Sequence, residues 1–145
     1  MAQVSTYLNF TDNTEVAFEF YKSVFGTEYV GGISRFGDAP PQPGQPELSD
    51  ADKQLVLNVQ LPILGGHVLM GSDAPPSMGM TLNQGNNVYV VLHTDTREEA
   101  DRLFAALSDG GAVEMPMMDM FWGDYYGSFA DKFGVQWMIS HTPKS

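Results

Sequence analysis

Three histidines, one lone strand-end arginine and a run rich in methionine and aromatic residues carry most of the chemistry this chain could do. The histidines are His67, His93 and His141. None stands at the helical or hairpin spacing of a zinc site. His67 and His141 fall at strand ends and read as surface groups. His93 shares the strand parity of Tyr89 and could reach an interior face, with a rim or structural role as the alternative. Gly71-Ser72-Asp73 sets a serine beside an acid. No strand–serine–helix elbow surrounds it, so it reads as a polar strand end rather than a nucleophile. The absence of cysteine removes disulfides and thiolate metal sites.

The run Met115-Pro116-Met117-Met118-Asp119-Met120-Phe121-Trp122-Gly123-Asp124-Tyr125-Tyr126-Gly127 holds four Met, four aromatic residues and two Asp. Methionine adapts its shape and aromatic rings supply rigid contact area. The run suits an apolar lining for a small ligand, with Asp119 or Asp124 as the polar contact; a dimer seam or core lid is the alternative. Trp122, Asp124 and Tyr125 are the leading ligand-binding candidates within it. Arg35 is a further one, because the chain has only seven Lys and Arg and a strand-end guanidinium can anchor a carboxylate or phosphonate. A salt bridge from Arg35 to Asp38 or Asp124 is the competing role.

At 145 residues the chain fits one domain able to bury a core, and 43% hydrophobic with 17% charged residues is ordinary for a globular protein. The formal net charge of −11 opposes nucleic-acid binding, which needs cations against phosphate, and disfavours anionic membrane surfaces. No stretch approaches the roughly 18 apolar residues of a membrane span. No basic segment followed by an apolar run opens the chain, so a cytoplasmic location is the default expectation.

The elements that must position these residues follow from periodicity and breakers. Residues 4–10 alternate as a strand. Thr11-Asp12-Asn13-Thr14 supplies helix-capping chemistry, and Val16, Phe20 and Val24 recur at helical spacing until Gly26. Residues 28–36 read as a strand. Pro40, Pro41, Pro43 and Pro46 exclude both sheet interior and helix from 37–52, leaving a surface loop. Residues 53–61 and 66–72 read as a hairpin, and 73–86 as a linker. A strand at 87–94, a helix from Asp95 to the Gly110-Gly111 stop, and strands near 112–116, 124–130 and 135–141 complete the chain.

The second half repeats the first. Asp12-Asn13-Thr14-Glu15-Val16-Ala17 lines up with Asp95-Thr96-Arg97-Glu98-Glu99-Ala100 at an offset of 83. His67 to Asp73 falls on Val135 to His141 at an offset of 68, the shorter value reflecting the proline-rich loop in the first half only. The expected fold class is α+β: two paired βαβββ modules forming a curved, mostly antiparallel sheet cup with helices on the convex side. The whole of 1–145 is expected to be a single domain, with module one about 4–73, a linker at 74–86 and module two about 87–142. Alternation places Thr6, Leu8 and Phe10 on one face of the first strand and Tyr89, Val91 and His93 on that of its repeat. The last strands contribute Val68, Met70 and Ser72, and Gln136, Met138 and Ser140.

Several segments resemble the PhnB-like branch of the vicinal oxygen chelate superfamily, which includes glyoxalase I, bleomycin- and fosfomycin-resistance proteins and extradiol dioxygenases. They are Tyr7-Leu8-Asn9-Phe10, Phe20-Tyr21-Lys22-Ser23-Val24-Phe25-Gly26, Arg35-Phe36-Gly37-Asp38, Leu69-Met70-Gly71-Ser72-Asp73, Phe121-Trp122-Gly123-Asp124 and, most specific, Asp131-Lys132-Phe133-Gly134-Val135-Gln136-Trp137. The resemblance implies paired βαβββ modules and a homodimer. It also puts the superfamily's metal-ligand points at Thr6, Met70, Tyr89 and Met138, none of which suits a hard divalent cation. The expected function is therefore a small-molecule binding protein without metal or other cofactor, its ligand held in a Met- and aromatic-lined cup by Arg35, Met70, Tyr89, Trp122, Asp124, Tyr125 and Met138. The alternative is a lyase or isomerase with a non-standard or absent metal site.

Overall fold

Each half of the chain buries one helix against one sheet. The computed structural model describes residues 2–40 and 42–144, so Pro41 of the expected loop lies outside the described residues. The chain divides between Asn83 and Gln84 into two units.

In the first unit the elements are β1 (Thr6–Phe10), α1 (Thr14–Phe25), β2 (Ser34–Arg35), α2 (Asp50–Lys53), β3 (Val56–Pro62) and β4 (Val68–Asp73). The sheet order is β1-β4-β3-β2, with β1 parallel to β4 and the other pairings antiparallel. α1 buries Ala17, Phe18, Tyr21 and Val24, one stripe at three- and four-residue spacing. Gly26, at φ 66°, ends the helix in the left-handed conformation and donates its N–H to Lys22 O. Phe18 meets Phe10 edge-on with ring centroids 6.4 Å apart, so Phe10 marks the helix-covered face of the sheet.

Three expectations need correction here. The strand read at 28–36 shrinks to Ser34–Arg35, because Gly31 and Gly32 both take φ 75° and break the extended run. The segment 37–52 does contain a helix: four residues, Asp50–Lys53, form where the prolines have ended, and Ser49 caps them by accepting from Asp52 N–H at 3.1 Å. The cap of α1 is not local either. Asn13 makes no side-chain cap, and Asp73 at the end of β4 takes that role through Thr14.

In the second unit the elements are β5 (Val90–His93), α3 (Arg97–Ser108), β6 (Ala112–Asp119), β7 (Tyr125–Ala130) and β8 (Gln136–His141). The sheet order β5-β8-β7-β6 again has one parallel pairing, β5 with β8. α3 buries Ala100, Leu103 and Leu107. Here the cap is local: Thr96 accepts from Glu99 N–H at 3.0 Å.

The duplication reaches into turn geometry. Ile63 N–H donates to His67 O at 2.7 Å, and Asp131 N–H to Val135 O at 2.8 Å, with Gly66 and Gly134 at φ 80° and 85° in matching places. The architecture is α+β, built as two mixed four-stranded sheets.

The repeat carries different offsets in its helices and its strands. Helices α1 and α3 start at Thr14 and Arg97, an offset of 83. In the strands, however, Tyr7 pairs with Met70 where Val91 pairs with Met138, an offset of 84. β5 has four residues where β1 has five, with turns of equal length after them, so the capping match slips the strand match by one. A one-residue slip moves a side chain to the opposite face. Thr6, Leu8 and Phe10 therefore lie on the helix side with Leu69 and Asp73, not with Met70.

Candidate functional site

Strand register assigns the paired side chains of the second sheet to a face. Phe129 packs edge-on against Phe104 of α3 at 5.0 Å, so its strand partner Trp137 also faces the helix. The open face then carries three rows across the sheet. Tyr89 leads toward Gln136, Ala130 and Ala112. Val91 leads through Met138 and Ser128 to Met115. His93 leads through Ser140 and Tyr126 to Met118.

This face is concave. Tyr89 stands immediately before β5 and Glu114 on β6, the opposite edge of the sheet. Yet the Tyr89 hydroxyl donates to both Glu114 carboxylate oxygens, at 2.8 and 3.0 Å. Three strand spacings of a flat sheet would separate those edges by about 14 Å, beyond what two side chains span comfortably. The sheet must curl toward this face. Two features permit it. Ala130 and Ser128 in the middle of the first two rows are small. β6 is an edge strand with register shifts between Val113 and Met115 and between Met115 and Met118, around Pro116. Proline at an edge position breaks the ladder and increases local twist. The hydrogen bond to Glu114, with the carboxylate's charge, holds the Tyr89 phenol above its ordinary pKa.

Within each unit, the residues expected to bind ligand fall on different faces. Tyr89 and Met138 lie on the open face of the second sheet. Met70 lies on the corresponding face of the first, beside Tyr7 and Gln60. Tyr125 points the other way: its ring lies 3.7 Å under the Arg97 guanidinium and its hydroxyl donates to Asp101 of α3 at 2.5 Å. That carboxylate raises the Tyr125 pKa. Asp119 is held below the usual carboxylate range by two hydrogen bonds from Arg97, at 2.7 and 3.2 Å. Trp122 and Asp124 sit at the tip of the β6–β7 hairpin. There Asp124 accepts from Trp122 Nε1 at 3.0 Å and from Thr142 Oγ1 at 2.9 Å, fixing the turn.

Arg35 is committed on the helix side. It forms a two-pronged pair with Glu15 of α1, both contacts 2.9 Å, and also donates to Gln54 O. The pair involves neither Asp124 nor the Asp38 side chain; Asp38 instead accepts the Arg35 backbone N–H at 2.8 Å. Arginine pairs this way because its planar fork matches a carboxylate.

The histidines also find places. His67 Nε2 lies 2.9 Å from Thr6 Oγ1, and His141 Nδ1 lies 3.1 Å from Thr94 O. Both are half-buried rather than on the surface, while His93 is exposed on the open face. Among the described residues no group of three or more His, Asp or Glu side chains gathers as a metal cage. The residues that sequence reasoning missed are Glu114 and Tyr126. Pro116 was the signal for the first, since a bulge re-aims neighbouring side chains.

A family model described as 3-demethylubiquinone-9 3-methyltransferase matches residues 2–140. Protein YjdN of Escherichia coli strain K12 is 32% identical over 142 residues, covering 94% of this chain and 93% of YjdN. The crystal structure of protein PA1353 from Pseudomonas aeruginosa is similar at TM-score 0.83 and 33% identity, over 99% of this chain and 100% of that one. A PhnB protein from Bacillus cereus, named for 3-demethylubiquinone-9 3-methyltransferase, is similar at TM-score 0.72 and 27% identity, over 97% and 100% of the two chains. A glyoxalase/bleomycin resistance protein/dioxygenase family enzyme from Burkholderia phytofirmans, 16% identical, shares the fold at TM-score 0.62 over 95% and 98%. The repeated βαβββ plan and these matches together mean that the chain belongs to the family described as 3-demethylubiquinone-9 3-methyltransferase, the PhnB-like branch of the glyoxalase/bleomycin-resistance/dioxygenase fold.

Proposed function

We propose that this glyoxalase/bleomycin-resistance-type protein binds a small apolar or aromatic molecule without a metal, on the open face of the second sheet. The observation that carries the reading is the curl that brings Tyr89 to Glu114 over a floor containing Met138, Ser128 and Tyr126. Such a face offers rigid aromatic surface, adaptable thioethers and one polar anchor, the usual makeup of a ligand site.

The donor chemistry supports metal independence. Of the four points where the superfamily's ligands would stand, Thr6 faces the helix, Met70 and Met138 are thioethers, and Tyr89 is a phenol already engaged by Glu114. A hard divalent ion gains little from such a set. Methyl transfer is not carried over from the family's description. The strand-to-helix turns, Thr11 to Asn13 and Thr94 to Thr96, hold no glycine-rich nucleotide loop. The whole of 1–145 is proposed to act as a single domain and as a homodimer. Exposed Trp122 and the nearly bare Phe121, 98% accessible, support an apolar contact at the β6–β7 tip.

The test is a melting curve of freshly purified protein with and without nickel, manganese or zinc, together with metal analysis. The expected result is no bound metal and no shift in Tm. Stoichiometric metal retained through purification, with a raised Tm, would sink the metal-free reading.

A further inference from the structure

We propose that the open face of the second sheet selects an organic cation, a protonated aromatic or aliphatic amine, with Glu114 as its counter-charge and the Tyr89 and Tyr126 rings as its flanking walls. This rests on the ligand-binding reading above and names the ligand class for that same face.

The charge inventory leads to it. Strands β5 to β8 contain two carboxylates, Glu114 and Asp119, and no lysine or arginine. Asp119 is turned to the helix side and neutralised by Arg97. That leaves Glu114 as the single carboxylate of the open face, with His93 the other titratable group apart from the tyrosines, one row beyond Met138. A carboxylate has about four acceptor sites, and the Tyr89 hydroxyl supplies one donor, shared between the two oxygens. Room for further donors remains on an exposed group. The surrounding surface combines thioethers and phenol rings with small and amide side chains, and its strands carry no lysine or arginine to compete for Glu114; the ring faces attract cations.

An anionic ligand would meet Glu114 on a chain of net charge −11 and be disfavoured twice, locally and by the field of the whole protein. A neutral apolar ligand would have to cover Glu114 without replacing its water, which costs free energy. An ammonium group offers charge-assisted hydrogen bonds to the carboxylate instead. The curl of the sheet already places a ring beside that carboxylate, so an arylalkylamine can fill both subsites at once.

The experiment is calorimetric titration of the full chain with three probes of one shape: 2-phenylethylamine, 2-phenylethanol and phenylacetate. The amine is expected to bind roughly tenfold tighter than the alcohol, and phenylacetate more weakly than either. Glu114→Gln should abolish the amine's advantage over the alcohol, and added salt should narrow the gap in the native chain. Because Glu114 is exposed, the variant should keep the native Tm, which is the control for folding. Equal binding of amine and alcohol, or an amine affinity indifferent to Glu114→Gln, would overturn the cation assignment and leave the ligand face standing. Failure of all three probes to bind would overturn both.

Discussion

Asp73, the last residue of β4, holds the first turn of α1 through Thr14. Its Oδ1 accepts from the Thr14 N–H at 3.0 Å and from the Thr14 hydroxyl at 2.7 Å, while Oδ2 accepts from the Val56 N–H at 2.8 Å. One buried carboxylate thus ties a helix start to two strands. Its repeat mate is His141, which makes a single contact with Thr94 O. The helix beside that histidine is capped by its own Thr96. The duplicated modules solved the same problem of unpaired helix N–H groups in two ways.

Asp73→Ala should therefore destabilise the protein far more than His141→Ala. Removing Asp73, which is 3% exposed, strands three donors in the interior, a loss of about 3 kcal/mol. His141→Ala gives up one bond at a half-buried site, about 1 kcal/mol or less. Urea midpoints of the two variants compare them directly. Equal midpoints would mean that the remote cap is not what holds α1.

Gly71→Ala should also be costly. A Cβ there would lie 2.5 Å from Phe18 Cε1 and 3.2 Å from Thr14 Cγ2. Phe18 is fully buried and has no room to swing, so overpacking of about 1–3 kcal/mol is expected. Gly85→Ala is the matched control, since its new methyl would meet only Asn87 Oδ1 at 3.7 Å. A melting temperature for Gly71→Ala as high as for Gly85→Ala would contradict the close helix approach.

The Tyr89–Glu114 bond predicts a phenol that titrates late. A carboxylate beside it disfavours the phenolate, so the Tyr89 pKa is raised. In Glu114→Gln it should fall toward the ordinary tyrosine value of about 10. Ring-carbon chemical shifts followed against pH, with Tyr89→Phe to identify the resonance, give the answer. An unchanged titration in Glu114→Gln would deny the bond, and with it the curl of the sheet.

The Arg35–Glu15 pair predicts a small acid-side loss of stability. The hydrogen-bonded guanidinium lowers the Glu15 pKa in the folded state. Its contribution is then present above the unfolded carboxylate pKa and is lost as pH falls through the lower folded value. Side-chain exposures of 29% and 44% for Arg35 and Glu15 keep the amplitude below about 1 kcal/mol. Urea midpoints against pH for the native chain and Glu15→Gln should differ near neutrality and converge in acid. Curves that stay parallel throughout would remove Glu15 from the account.

The open face was only half legible in the residues. Tyr89 and Met138 could be placed together because strand alternation and the repeat both concern neighbours in sequence or in an adjacent strand. Glu114 could not, since it meets Tyr89 across two intervening strands. Arg35 and Tyr125 have the chemistry of ligand contacts, yet both face helices, where they meet Glu15 and Asp101. Which carboxylate a cation or phenol meets depends on helix packing, and neither partner is local.

The amino-acid sequence by itself determined the duplicated βαβββ plan and the two long helices with their glycine breakers at Gly26 and Gly110-Gly111. All of these are set by periodicity and by residues with special backbone freedom, which act over a few positions. Only the tertiary structure decided the phase between strand and helix, through the one residue by which β5 is shorter than β1. It also decided that Asp73 rather than Asn13 caps α1, and that Tyr89 and Glu114 meet. Those outcomes depend on how strands register and how far a sheet bends, and such properties belong to pairs of distant segments rather than to any one of them.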